Sequence, residues 1–287
     1  MGPKDLKTRI FLDGGDPHET KEAIRLLGFL DGQTTNPTLI SKNPEVRQRL
    51  ERGEKFSEKE ILDFYRGVVK ETSSLIPEGS ISVEVYADRS TPSEKMLEQG
   101  KEMFSWIPNA HVKFPLTKEG LKAAVQALEG GLRVNMTLCF SQQQAAAVYA
   151  ATRGAKRGTV FLSPFVGRLD DRGENGMDLI RNVIKMNRKG DAHVEVLTAS
   201  VRNLNHLLYA IHLGSDIITS PFGTLKEWGE TGYPVPDDDF NYPSGDLKPL
   251  LYQEISLDRN WQDYDLRHEL TDKGMENFSA DWNRLIK

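Results

Sequence analysis

Short apolar runs, most of them rich in β-branched residues, alternate along the chain with longer stretches of helical period. The runs lie near residues 8–13, 30–35, 80–86, 110–115, 132–138, 159–163, 193–199 and 216–220. Each reads as a strand, although the second, around Phe29-Leu30-Asp31-Gly32, holds little that is β-branched. Strands separated by helices predict parallel pairing with right-handed crossovers. Eight is the number that closes a parallel barrel. The expected fold class is therefore α/β, a (β/α)8 TIM barrel. Helix starts are marked too. Asp16-Pro17-His18-Glu19 predicts a capping box with proline at the first helical position, and Thr91-Pro92-Ser93-Glu94 repeats it. Ser141-Gln142-Gln143-Gln144 opens an alanine-rich helix after the fifth strand.

The alternation stops near residue 230. Residues 231–248 are rich in Pro, Gly, Asp and Tyr and predict irregular chain. A final helix from about Thr271 carries Met275, Phe278, Trp282 and Leu285 on one stripe. We expect a catalytic barrel over 1–230, with 231–287 packed on it as part of the same domain. The stripe is read as serving stability or a subunit contact ahead of a cover over a site.

Strand parity gives the first chemical signal. Side chains alternate faces along a strand, and the face toward the helices should be apolar. In Arg9-Ile10-Phe11-Leu12-Asp13, Ile10 and Leu12 point outward and Asp13 inward. In Ile81-Ser82-Val83-Glu84-Val85 the β-branched set is outward and Glu84 inward. In His111-Val112-Lys113-Phe114-Pro115, Val112 and Phe114 are outward and Lys113 inward. The same reasoning sends Asn135, Thr137 and Ser163 inward. Any one strand lysine is more often a snorkelling or salt-bridged residue. Five strands aiming polar groups into one interior, near the strand ends where barrel active sites lie, change that reading, because buried charge without a role is costly.

Composition narrows the partners. The 287 residues carry a net charge of −5 with 38% hydrophobic and 28% charged positions. Nucleic acid and acidic membrane both call for a basic face, so neither is expected. An anionic ligand would be captured by a few placed basic groups. The lone Cys139 excludes a disulfide within the chain and suits a reducing compartment. Met1-Gly2-Pro3-Lys4-Asp5 is not followed by an apolar segment and no run approaches 18 apolar residues, so a cytoplasmic protein without leader or span is expected. The six histidines lack metal-ligand spacing, Asp237-Asp238-Asp239 lacks the spaced ligands of a calcium loop, and no phosphate-binding glycine motif is present.

A lysine amine attacks a ketone only when deprotonated, a form that an apolar surround favours. Val112, Phe114 and Pro115 flank Lys113 in sequence and predict such a surround. The protonated imine so formed is an electron sink for cleavage of the adjacent carbon–carbon bond, and two carboxylates in distinct environments can move the protons. Thr34-Thr35-Asn36-Pro37-Thr38 follows the second strand, either as a capped turn or with the Asn36 amide on substrate hydroxyls. Ser163-Pro164-Phe165-Val166-Gly167-Arg168 and Ser200-Val201-Arg202 follow strands six and seven. Hydroxyls, helix N-termini and arginines capture phosphate, and a solvated surface charge is the plainer reading of each arginine alone.

These segments, with Phe11-Leu12-Asp13, Val83-Glu84-Val85, Val112-Lys113-Phe114-Pro115, Asn135-Met136-Thr137-Leu138-Cys139-Phe140-Ser141 and Phe278-Ser279-Ala280-Asp281-Trp282-Asn283, run in order along nearly the whole chain. Together they resemble the transaldolase family, which includes the fructose-6-phosphate aldolases. The resemblance implies a class I Schiff-base mechanism with no metal and no cofactor. Lys113 would be the imine lysine, Asp13 the base and acid of carbon–carbon cleavage, and Glu84 the holder of a water that Thr137 helps orient. Asn36 and Asn135 would hold the dihydroxyacetone unit, and Ser163, Arg168 and Arg202 the phosphate, with Phe165 beside them. Transaldolases carry Glu in strand three and Phe in the S-P-F-V-G-R segment, where the aldolase branch has Gln and Tyr. Glu84 and Phe165 thus imply transfer of a dihydroxyacetone unit between sugar phosphates, as in the pentose phosphate pathway, ahead of its release. A non-catalytic sugar-phosphate sensor is the contrasting class. Sugar-phosphate substrates and a homo-oligomer, with a dimer favoured, complete the expectation.

Overall fold

The computed structural model describes residues 6–287. Met1 to Asp5, on which the expectation of no leader rests, lies outside them. Eight parallel strands close in chain order: β1 (Arg9–Asp13), β2 (Gly32–Thr34), β3 (Ser80–Glu84), β4 (Ala110–Pro115), β5 (Val134–Cys139), β6 (Val160–Pro164), β7 (Val194–Thr198) and β8 (Ile217–Ser220), which pairs back onto β1. Helices α1 (Pro17–Leu27), α2 (Pro37–Ser41), α3 (Pro44–Glu51), α4 (Glu58–Leu75), α5 (Ser93–Phe104), α6 (Lys118–Glu129), α7 (Gln142–Ala151), α8 (Val166–Asp170), α9 (Gly176–Asn187), α10 (Leu204–Leu213) and α11 (Phe222–Glu230) surround it. The (β/α)8 barrel expected from the alternation is what the chain forms.

The weakly β-branched second strand is only three residues long, and packing explains its composition. A Cβ on Gly32 would come 2.3 Å from the Ser80 carbonyl oxygen and 2.6 Å from the Phe11 ring. The outward faces carry Ile10, Leu12, Ile81, Val83, Val112, Phe114, Val134 and Met136, all fully buried under the helices. Each such side chain contributes about 1.5–3 kcal/mol by leaving water. Helix α5 approaches so closely at Gly100 that a Cβ there would stand 2.8 Å from Phe114. The inward face toward the strand N-termini is filled. The His111 ring stacks on Phe161 with centroids 3.9 Å apart, and Arg9 pairs with Glu195 at 2.8 Å. Burial pushes His111 down to about 3, so it is a neutral plug. The open end is the one at the strand C-termini.

The caps differ in part from expectation. Asp16 accepts from the His18 amide with Pro17 following, but the reciprocal bond from Glu19 does not form; the complete capping box is at Ser57 and Glu60, opening α4. Thr91 is not a cap, because its hydroxyl is held by Asp88, and α5 starts behind Pro92 without a side-chain cap. Ser141 caps α7 as expected.

Residues 231–248 are irregular and pinned to the barrel wall. Tyr233 donates to the Leu26 carbonyl at 2.7 Å, and the Asn175 amide donates to Lys248. A short 3-10 turn, Trp261–Asp263, precedes α12 (Glu269–Asn283), which starts two residues before the expected Thr271 behind a His268 cap. This helix crosses the open end. Thr271 donates to the Leu138 carbonyl at the end of β5, and Thr38 of α2 donates to Asp281. Met275, Phe278, Trp282 and Leu285 are all buried. Phe278 also lines the central cavity, so the stripe packs the helix and walls the site together.

Candidate active site

Parallel register decides which inward groups meet. Glu84 of β3 stands opposite Lys113 of β4, and Lys113 opposite Asn135 of β5. The Lys113 Nζ lies 2.8 Å from Glu84 Oε2, both side chains only 4% exposed, and donates to the Thr35 carbonyl at 3.0 Å. The apolar surround expected for this lysine is therefore corrected. Val112 and Phe114 project to the opposite face, as alternation requires, and the amine meets a carboxylate and a carbonyl. Burial, opposed by Lys113, pushes the Glu84 carboxyl above its ordinary value. The pair is close yet not aligned as a hydrogen bond: Glu84 Oε2 has no well-directed donor among the described residues. Such a carboxyl can accept the ammonium proton and pass it on. The backbone here is fixed by Tyr65, whose hydroxyl accepts from the Glu84 amide at 3.0 Å. A space of ≈ 10 Å³ bordered by Glu84, Pro115 and Phe278 is about the least that holds one water. The Thr137 hydroxyl is buried and makes no hydrogen bond among the described residues.

Asp13 ends β1. Desolvation, opposed first by Lys113, raises its carboxyl above the ordinary range. Its Oδ1 accepts from Thr34 at 2.7 Å, and Thr34 in turn meets Thr219 of β8 at 2.5 Å. Sequence reasoning missed both threonines, since threonine in a strand looks like ordinary β-propensity. Asn36 is the cap of one reading and also borders the cavity that the other reading needs. Its Oδ1 caps α2 by accepting from the Leu39 amide at 2.9 Å, and the side chain lines the cavity. Asn135 donates to Ser82 at 3.0 Å and accepts from Ser163 at 2.7 Å. Ser163 is thus tied to Asn135; the hydroxyl adjoining Arg202 in the chain and lining the same cavity is Ser200.

The cavity, ≈ 210 Å³, is lined by Asp13, Asn36, Lys113, Ser163, Phe165 and Arg168, with Ser200, Arg202 and Phe278 closing it. Glu84, Asn135 and Thr137 stand behind that wall. Arg168 lies between the rings of Phe165 and Phe278, 5.4 and 5.2 Å from their centroids. It makes no ion pair among the described residues, and burial lowers its affinity for its proton. An anion placed there would offset that burial. Arg202 reaches the cavity past Gly167, where a Cβ would fall 2.3 Å from its Nε, and is held by Asp171 at 2.9 Å. The expected helix N-termini contribute less. The Val166 and Gly167 amides that open α8 already donate to Ala199 and Ser200 carbonyls. Lys42, exposed, adds a third cation at the rim, one that no motif in the chain singles out. Cys139 is buried and its thiol pushed up to about 12, so it supplies no nucleophile.

Known proteins match this chain over nearly its whole length. A probable transaldolase of Dehalococcoides mccartyi is 34% identical over 279 residues, 97% of this chain and 100% of that one. A probable transaldolase of Brucella anthropi is 34% identical over 274 residues, 96% of each chain. Among solved structures, 3-hexulose-6-phosphate synthase from Salmonella typhimurium superimposes with a TM-score of 0.49 at 12% identity, covering 78% of this chain and 97% of that one. That distance adds nothing to the barrel seen directly. The family model described as Transaldolase/Fructose-6-phosphate aldolase matches residues 10–287. No helix among the described residues is long and apolar enough to cross a membrane. With nearly its whole length matched, the chain belongs to the transaldolase/fructose-6-phosphate aldolase family of enzymes.

Proposed function

We propose that the protein is a transaldolase, moving a dihydroxyacetone unit from a ketose phosphate such as fructose 6-phosphate or sedoheptulose 7-phosphate to an aldose phosphate. The observation that carries this reading is the Lys113 amine, 2.8 Å from a buried carboxyl, in the cavity that Asp13, Arg168 and Arg202 also line.

Glu84 takes the proton from Lys113, and the free amine attacks the C2 ketone. Glu84 then returns the proton to the carbinolamine hydroxyl, which leaves as water, with Thr137 orienting that water. Asp13 removes the C4 hydroxyl proton, the C3–C4 bond breaks, and its electron pair enters the protonated imine to give an enamine. The aldose phosphate departs. An acceptor aldehyde is attacked by C3 of the enamine while Asp13 returns its proton, and water then releases the new ketose. Asn36, Asn135 and Ser163 hold the three-carbon unit, and Arg168, Arg202 and Ser200 the phosphate. Electrostatic and acid–base groups of this kind each contribute about 10²–10⁴ in rate. Glu84 and Phe165 support transfer over release.

The test is the fate of fructose 6-phosphate with and without erythrose 4-phosphate. The transferase reading expects sedoheptulose 7-phosphate only when the acceptor is present and little free dihydroxyacetone without it. Rapid release of dihydroxyacetone in its absence would move the protein to the aldolase branch.

A further inference from the structure

We infer that Thr271, on the C-terminal helix, is a positioning residue that aims Thr137 by holding the peptide after it. The inference rests on the role given above to Thr137.

Leu138 has φ 62, in the left-handed region that favours glycine and that a leucine adopts only when its surroundings over-determine it. It stands between the inward Thr137 and Cys139, where the pairing of β5 with β6 slips register. The slip leaves two backbone groups to be satisfied otherwise. The Leu138 carbonyl accepts from Thr271 Oγ1 at 2.9 Å. The Phe140 amide donates to Gln144 Oε1 at 2.8 Å. Gln144 Nε2 then donates to Thr271 Oγ1 at 2.9 Å and to the Leu266 carbonyl at 3.0 Å. One chain of hydrogen bonds thus runs from Phe140 through Gln144 and Thr271 to Leu138 and closes around the kink. A hydroxyl has one proton to give and lone pairs to receive; Thr271 uses both capacities, and an apolar residue of the same shape has neither. The Leu138 side chain seats against α12 at Gly274, where a Cβ would come 2.6 Å from its Cδ2.

The kink matters because no hydrogen bond to its own hydroxyl aims Thr137 among the described residues, so backbone sets its direction. On one side its carbonyl accepts from the Leu116 amide at 2.9 Å. On the other, its peptide neighbour is held by Thr271. Releasing Leu138 should let Thr137 swing while Lys113, on β4, stays in place. The loss should therefore fall on the steps that move water and protons, and little on binding of the phosphate end.

The experiment uses the full chain with Thr271→Val, with Thr271→Ala in reserve should the valine variant fail to fold, and Thr271→Ser as the conservative variant. Steady-state transfer and backbone amide exchange over residues 134–141 are both measured. A misaimed catalytic group costs on the order of ten-fold or more in kcat. We expect that loss in the valine or alanine variant, with KM for fructose 6-phosphate within about two-fold, faster exchange at residues 138–140, and kcat in the serine variant within about three-fold of the wild type. Unchanged kcat, unchanged exchange, a rise in KM that accounts for the whole effect, or a serine variant as impaired as the valine one would overturn the inference. Should the wild-type protein itself show no transfer, the transferase reading falls, and exchange at residues 138–140 still decides whether Thr271 holds the kink.

Discussion

Replacing Asp13 by Asn separates what the site does from what it costs the fold. Asn keeps the shape and still accepts from Thr34, so the 2.7 Å bond survives. What is removed is a carboxylate whose proton affinity is raised by desolvation, the largest influence on it, against the opposing pull of Lys113. A carboxyl with a raised value in the native state holds its proton longer there than in the unfolded chain. Between the ordinary value, ~3.9, and the raised one, the native protein binds more protons. Stability therefore falls as pH rises across that window and stays lower above it. Each unit of elevation corresponds to about 1.4 kcal/mol. We expect Asp13→Asn to melt higher than the wild type at pH 7, with the advantage shrinking toward pH 4, while kcat falls by about 10²–10⁴ through loss of the acid–base group. Calorimetry at several pH values, with a transfer assay on the same samples, reads both. A variant less stable at pH 7, or an advantage independent of pH, would refute the assignment of Asp13 as a desolvated, destabilising carboxylate.

Three further outcomes follow from the same geometry. Arg168→Gln should lower kcat/KM for phosphorylated acceptors by about 10–100-fold, the worth of a charge-assisted bond of about 1.5–3 kcal/mol, and leave glyceraldehyde itself nearly unaffected; equal losses for both acceptors would remove Arg168 from the phosphate site. Phe165→Tyr places a hydroxyl in the cavity wall that Phe165 lines, and should raise free dihydroxyacetone from fructose 6-phosphate relative to transfer, measured by an enzymatic assay for released dihydroxyacetone; an unchanged ratio would detach that position from the branch difference. Gly274→Ala puts a methyl 2.7 Å from Arg168 Nη1 and 2.6 Å from Leu138 Cδ2, and should cost about 1–3 kcal/mol in urea unfolding through overpacking together with a raised KM; wild-type stability and KM would show that α12 yields freely there.

The barrel was legible because its two faces differ so sharply. Outward positions such as Ile10, Val83 and Val112 must be apolar to pack under helices, so Asp13, Glu84 and Lys113 stand out by parity alone. The same alternation misled where sequence neighbours were taken for spatial ones. Val112 and Phe114 flank Lys113 in the chain and face away from it, whereas its true neighbours, Glu84 and the Thr35 carbonyl, come from other strands. Hydroxyl partners were invisible for a related reason: Thr34 and Thr219 suit a strand whatever their hydroxyls do. Thr91 satisfied a capping pattern, yet Asp88 three residues earlier competes for its side chain. The role of α12 was hidden because its stripe is apolar in either role, and only tertiary placement puts Phe278 in the cavity wall and Thr271 on Leu138.

The central claim is covalent chemistry at one lysine. Fructose 6-phosphate is incubated with the protein, the imine is reduced with borohydride, and the digest is mapped by mass spectrometry. The account predicts a single substrate-derived adduct on Lys113, abolished in Lys113→Met and absent without substrate. An adduct on another lysine, or no adduct from protein that still transfers the three-carbon unit, would contradict it.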